Sequence, residues 1–526
     1  MVNFIKCEDF VREIPDGSTI ALAGFGGMSQ CEKILRGIRK RFLEENHPNN
    51  LTVYHPSGQS DGKIGIENLA EEGLIKRVIG AHWGLAPKMR ALIESNKIEA
   101  YCFPQGQLTH LFRAIANKLP GQISPIGLGT FVDPRLSGGK VNTITEDKED
   151  LVKLMTIDEE EFLFYKSVHL DYVLIRGTTV DENGNLTTEE EPLKLEILTA
   201  AQAAKACGGK VIVQAKYASK KGMLHPKEIT VPGFLVDYVI LADDPEIEHR
   251  QTPDFYFNPV FNGDVQEPIV QTKSYLIDIR NVIGKRAFKE LSKNNVINLG
   301  IGIPGDVIGP IVMEKGKDLL ITVTVESGPI GGVPAGKNQF GITKNPEVIM
   351  DHASLFDYYH GTGVDVTFMG AGEVDQFGNV NVSKFSNRMV GCGGFMDITQ
   401  TAKKVVFCST FTTGGLKVDI SDDIGLAIQK EGNIKKFVNN VEHITFSGKF
   451  ALERGIEVNY VTERAVFKLT AEGLELIEIG KGIDLQKDIL DQMDFTPIIN
   501  KQLVQIEDSI YTNSNDKIDQ RKLINI

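Results

Sequence analysis

Two stretches of this 526-residue chain repeat one another, and the repetition narrows its possible folds more than any other feature. LDYVLIRGTTVDENGNL (170–186) aligns without a gap to VDVTFMGAGEVDQFGNV (364–380), and at the same offset Lys210-Val-Ile-Val213 falls on Lys404-Val-Val-Phe407. Their shared core is V-D-x-x-G-N, running Val180 to Asn185 and Val374 to Asn379, a strand followed by a tight polar turn. Earlier in each half, Ile20-Ala-Leu-Ala-Gly-Phe-Gly26 aligns with Val296-Ile-Asn-Leu-Gly-Ile-Gly302, and LTVYHPSG (51–58) with ITVTVESG (321–328). Four segments in the same order describe two copies of one unit. Each unit alternates short β-branched runs with Gly-rich turns and amphipathic stretches, the pattern of βαβ units. The predicted fold is therefore two related open α/β domains with largely parallel sheets and an active site between them. The N-terminal domain spans 1–243 and the C-terminal one 273–508. A connection at 244–272, punctuated by Pro245, Pro253, Pro259 and Pro268, joins them, and a polar tail at 509–526 follows.

Charge and cysteine usage exclude several functions. Lys and Arg total 57 against 70 Asp and Glu, a net charge of −13 without any basic run, so neither nucleic acid nor a membrane surface is an expected partner. An anionic ligand must be held by local cations and backbone N–H groups. Six scattered cysteines without a CxxC, and an opening MVNFIKCEDF without an apolar h-region, predict a reduced, cytoplasmic location. No apolar run is long enough to span a membrane. No HExxH, Cys/His cluster or EF-hand loop is present, so no metal is expected, and no GxSxG elbow appears.

The repeat also marks where the halves differ. Pro56 precedes Ser57-Gly58 in the first copy, whereas Glu326 precedes Ser327-Gly328 in the second. Glu326 ends the run LLITVTV, read as a buried strand, and leads into SGPIGGVPAG. The C-terminal end of such a strand is where open α/β sheets place their ligands, although a solvated strand-end Glu is the plainer reading.

VTVESGPIGGVPAG, GAGEVDQFGNVNVSKF and RMVGCGGFMDITQ together resemble the class I CoA-transferases, in particular the single-chain acetate/propionate enzymes of bacteria. GLIKRVIGAHWGLAPKM, AYCFPQGQLTHLFRAIA and GLGTFVDPRLSGGKVN extend the likeness through the first half, over about residues 10–500. The resemblance implies transfer of coenzyme A between a short-chain acyl-CoA, such as acetyl-CoA or propionyl-CoA, and a short-chain carboxylate. Glu326 falls on the family's nucleophile. Its carboxylate attacks the thioester to give an acyl-glutamyl anhydride, and the returning thiolate makes a glutamyl-CoA thioester. The acceptor then reverses both steps. A carboxylate with the reference pKa of about 4.3 needs no general base at pH 7. Thioester exchange needs no ATP, so CoA enters as a substrate and no tightly bound cofactor is expected. A homo-oligomer is also implied.

Tetrahedral intermediates need backbone N–H donors, which Gly-rich turns present without obstruction. The candidates are Gly300-Ile301-Gly302-Ile303-Pro304 and the Gly391, Gly393, Gly394 loop, with Gly302, Gly393 and Gly394 placed at the oxyanion, and Gly302 together with the others at CoA. These glycines equally suit turns or close packing. Gln105 in FPQGQ is assigned to orienting the acyl or carboxylate group, or else to bonding a loop carbonyl. Lys384 and Arg388 either meet the phosphates of CoA or are solvated charges. Cys392 reads as a small buried residue, and His82, beside the single Trp83, as a hydrogen-bonded core histidine. Three other functions remain open. An acyl-CoA hydrolase would share the first chemical steps, and a CoA sensor would lack them. A nicotinamide-dependent oxidoreductase would use the literal G-x-G-x-x-G of Gly300 to Gly305, although Pro304 and Pro310 disturb the helix that motif should open.

Overall fold

The computed structural model describes residues 2–268, 277–421 and 423–512, so residues 269–272 of the connection and 513–526 of the tail lie outside it. The repeat is realised as two sheets with the same core. In the first, parallel strands run Leu51–His55, Thr19–Leu22, Tyr172–Asp181, Lys210–Ser219, Tyr238–Leu241. In the second the order is Thr322–Thr324, Val296–Leu299, Val366–Gly370, Lys404–Cys408, Glu457–Val461, again all parallel. The first sheet extends to eight parallel strands through Ile75–Gly80, Glu99–Cys102 and Asn3–Phe4. The second reaches ten, with antiparallel strands flanking its parallel core on both sides.

Register agrees with the alignment at the central strands and corrects it at one. Tyr172 pairs with Lys210 as Val366 pairs with Lys404. Thr19 pairs with Thr52, however, and Val296 with Thr322, so Thr19 is the counterpart of Val296. The gapless alignment of 20–26 with 296–302 is thus one residue out in the strand, because the first half carries an extra residue before its glycine pair. The run LLITVTV was also over-read. Only Thr322–Thr324 is strand, while Leu320 turns out to solvent at φ +54°.

The V-D-x-x-G-N turn is copied bond for bond. Asp181 Oδ1 accepts the N–H groups of Asn183 and Asn185, and its Oδ2 accepts from the Asn185 side chain. Asp375 does the same with Phe377 and Asn379. Asn185 Oδ1 then accepts from Gly233 N–H, and Asn379 Oδ1 from Gly448 N–H. Each motif therefore pins a distant loop as well as its own turn.

The connection is not a free linker over its described part. It opens with a single helical turn, Pro245–Glu248, and its next residues are bound to the first half. Arg176 donates to the Arg250 carbonyl, and Gln251 Nε2 to that of Glu190. At the other end, Ile510 and Tyr511 are buried against the second sheet, so packed structure continues past 508 into the segment read as a polar tail.

Direct bonds join the halves. The buried Asp397 accepts from Gly106 N–H at 2.9 Å and from Gln107 Nε2 at 3.1 Å, both at the start of the helix Gln105–Ala116. Gln400 Oε1 accepts from Gly127 N–H at 2.6 Å. Cys392 and Met396 complete the apolar core of the first half. No described helix is long and apolar enough to cross a membrane.

Candidate active site

A cavity of about 380 Å³ lies where the halves meet. Phe25, Gly26, Gly58, His82 and Gln105 line it from one side, and Glu326, Met369 and the Gly391–Phe395 loop from the other. Glu326 stands two residues beyond the strand Thr322–Thr324, at its C-terminal end, and is only 8% exposed. Burial pushes its carboxyl up to about 7, opposed by hydrogen bonds from its own backbone and from Asn298, while Asp397 adds to the rise. The expectation of an ordinary, fully ionised carboxylate at pH 7 is thereby corrected. Asn298 is held in turn by Tyr359, Thr367 and the Thr324 carbonyl.

The Gly391–Gly394 loop is laid against the first half like a short strand. Trp83 and Gly84 donate to the Val390 carbonyl, and Gln105 N–H to that of Gly393. Gly391 sits at φ +94°, and a Cβ there would stand 2.4 Å from the Ala81 carbonyl oxygen, so only glycine permits this approach. Gly106 is bound as tightly from the opposite side, since its Cβ would lie 2.6 Å from Asp397 Oδ1. Both contacts account for glycines that pattern alone leaves ambiguous between turn and site.

The remaining candidates divide. Gly300, Ile301, Arg388, Gly391, Gly393 and Gly394 line the cavity, but Gly302, Ile303, Pro304 and Lys384 do not. Gly393 N–H is already given to the Ala81 carbonyl at 2.9 Å, so it offers no donor to an oxyanion. Gly394, whose Cβ position lies 3.6 Å from Glu326 Cγ, has no partner for its N–H among the described residues. Lys384 is on the hairpin strand opposite Arg388–Met389, outside the cavity wall. After Gly300 the chain enters Pro304–Ile308 rather than a tight helix start, and the dinucleotide geometry is not formed.

His82 does not take the hydrogen-bonded core position expected of it. The hydrogen-bonded core residue is His55, whose Nδ1 contacts the Ser57 carbonyl while Nε2 accepts from Trp83 Nε1 at 3.0 Å. His82 instead faces the cavity, and burial pulls its ring down to about 4, leaving it neutral. Cys392 is buried 3.8 Å from Cys102 Sγ, and desolvation holds its thiol protonated. Sequence reasoning missed Asn298, His352, Glu196 and Asp397. Asn298 and Asp397 stand inside segments that carry the repeat and the family likeness, but Glu196 and His352 acquire meaning only from long-range contacts.

A wider cleft of about 770 Å³ also runs between the halves, near Arg135, Glu161, Phe377 and Arg454. Its charged groups already pair with one another, as in Arg135 with Asp133 and Glu161. Among the described residues no cluster could hold a metal ion.

The coenzyme A transferase family profile matches residues 4–242. Caffeate CoA-transferase of Acetobacterium woodii is 46% identical over 525 residues, 99% of either chain. Acetate CoA-transferase YdiF of Escherichia coli K12 is 43% identical over 515 residues, covering 98% of this chain and 96% of that one. The crystal structure of the acyl-CoA transferase YdiF apoenzyme from Escherichia coli O157:H7 superposes with a TM-score of 0.90 over 98% of this chain and 96% of that one, at 43% identity. With full-length identity and a shared architecture on both halves, the chain belongs to the coenzyme A transferase family and is a CoA-transferase.

Proposed function

We propose that this enzyme moves coenzyme A between a short-chain acyl-CoA and a short-chain carboxylate by a ping-pong route through Glu326. The observation that carries the reading is a buried carboxylate at a strand end, in a cavity closed by the other half of the chain. Ionised Glu326 attacks the thioester carbonyl, the C–S bond breaks, and CoA leaves as thiolate with an acyl-glutamyl anhydride behind it. The thiolate then attacks the glutamyl carbonyl, releasing the carboxylate and leaving a glutamyl-CoA thioester. The incoming carboxylate repeats both steps in reverse. Gly394 N–H is the donor assigned to the tetrahedral intermediates, a role whose loss typically costs about 10²–10³ in rate. The apolar walls keep water from both hydrolysable intermediates. Arg388 at the rim, together with the neighbouring Lys337, is assigned to the CoA phosphates.

A relative solved as a thioester complex with CoA supports the covalent route. Phe25, Phe340 and Phe395 around the cavity, and a relative named caffeate CoA-transferase, extend the acceptors worth testing to aromatic acids. The reading includes a homo-oligomeric, cytoplasmic enzyme. Intact mass and peptide mapping after acetyl-CoA, with borohydride trapping, should place the modification on the peptide carrying Glu326. Acetate, propionate, lactate and caffeate, added in turn, should discharge it at rates that rank the acceptors. Release of CoA without any adduct and without an acceptor would favour hydrolysis instead.

A further inference from the structure

Behind the cavity wall lies a buried relay that the reaction scheme does not use. Gln105 Nε2 is 3.0 Å from His352 Nε2, and His352 Nδ1 is 2.5 Å from Glu196 Oε2. His352 and the Glu196 carboxylate are wholly buried, and Gln105 is 2% exposed. The three residues come from both halves, with His352 opening the helix His352–Gly361. Glu196 Oε1 is buried without a partner, so its carboxylate is committed to one contact. Leu195, just before it, is held at φ +51°, a conformation unusual for leucine, and its carbonyl accepts His352 N–H. Backbone strain at this point goes with the placement of Glu196 against the imidazole.

The chemistry of the relay runs in one direction. A carboxylate only accepts, so His352 carries a proton on Nδ1, and its Nε2, which faces the amide nitrogen of Gln105, presents the lone pair of the neutral ring. That lone pair takes an N–H of Gln105, which turns the amide oxygen the other way. Gln105 Oε1 has no partner among the described residues and lies 3.9 Å from where a Cβ on Gly393 would stand. It is therefore an acceptor facing the loop beside Glu326. Thioester carbonyls and carboxylates have no proton to give it. The nearest donor in an acyl-CoA is the pantetheine amide N–H, one ethylene unit from the sulfur.

We propose that Glu196 and His352 are positioning residues that turn the Gln105 carbonyl into the cavity, where it accepts the pantetheine amide N–H and fixes the thioester sulfur against Glu326. This assignment rests on the proposed function and replaces the role of Gln105 as a handle for the acyl group or carboxylate. It is tested with two small thioesters, S-acetyl-N-acetylcysteamine and its analogue with an ester oxygen in place of the amide N–H, by the second-order rate of Glu326 modification. The wild type should favour the amide by about tenfold, the scale of one hydrogen bond. His352→Phe should abolish that preference by slowing the amide alone, leaving the ester within about threefold of wild type, which a damaged fold would not do. Glu196→Gln, which lets the imidazole take either tautomer, should reduce the preference at least about threefold. Equal rates in the wild type, or an undiminished preference in His352→Phe, overturn the proposal. If His352→Phe is insoluble, an unchanged preference in Glu196→Gln does so. Failure of wild type to react with acetyl-CoA itself would instead overturn the proposed function.

Discussion

Raising the carboxyl of Glu326 to about 7 has a direct kinetic consequence, since only the ionised form attacks. With that value, about 3% of the free enzyme is competent at pH 5.5 and about 90% at pH 8, so kcat/KM should climb about thirtyfold across this span. An exposed glutamate of ordinary pKa would be almost fully ionised throughout and would give a flat profile. The profile should be measured as kcat/KM, which reports ionisation in the free enzyme. An S-acyl-pantetheine is the substrate of choice, because it lacks the phosphates of CoA and their own titration. A profile that is level from pH 5.5 to 8, with protein intact by circular dichroism, would refute the argument that burial controls the nucleophile.

Three further outcomes are expected. Glu326→Ala should abolish transfer, and Glu326→Asp should cost about 10² by withdrawing the carboxylate roughly 1 Å; substantial transfer by purified Glu326→Ala would sink the mechanism. A carboxyl whose folded pKa exceeds its unfolded one favours the fold at low pH and loses that advantage as pH rises from 4.5 through about 7. Glu326→Gln should accordingly stabilise the protein by up to about 3 kcal/mol at pH 8 and scarcely at pH 4, read from paired denaturant melts. Gly391→Ala should cost about 1–3 kcal/mol from its left-handed backbone alone, before the clash with Ala81, with activity lost alongside. An unaltered melting temperature and rate would show that the loop does not need that approach.

The legible parts of the fold were those whose determinants lie close together in sequence. Asp181 and Asp375 each organise a turn from groups within four residues, so the V-D-x-x-G-N copies could be matched by eye and proved identical in their bonds. Leu320 misled because its apolar side chain resembles a strand residue, while the backbone before Thr322 is already turning. The one-residue slip at Thr19 arose because glycines dominate a gapless match while strand register is decided by neighbours. Glu326 was legible twice, as a difference between copies and within VTVESGPIGGVPAG. Glu196 and His352 were not legible at all, because they stand 156 residues apart and neither carries a motif.

The bonds that close the cavity run from one half to the other without passing through the connection. Asp397 holds Gly106, Gln400 holds Gly127, and Val390 holds Trp83, while no residue of 244–268 lines the cavity. Covalent continuity therefore contributes to this site mainly as effective concentration. It guarantees one copy of each half per catalytic centre and shortens their search for each other, whereas the geometry of the centre is encoded in the two faces themselves. The same centre is within reach of two separate polypeptides that meet through these faces, and a single chain differs from such a pair in stoichiometry and assembly rate rather than in chemistry.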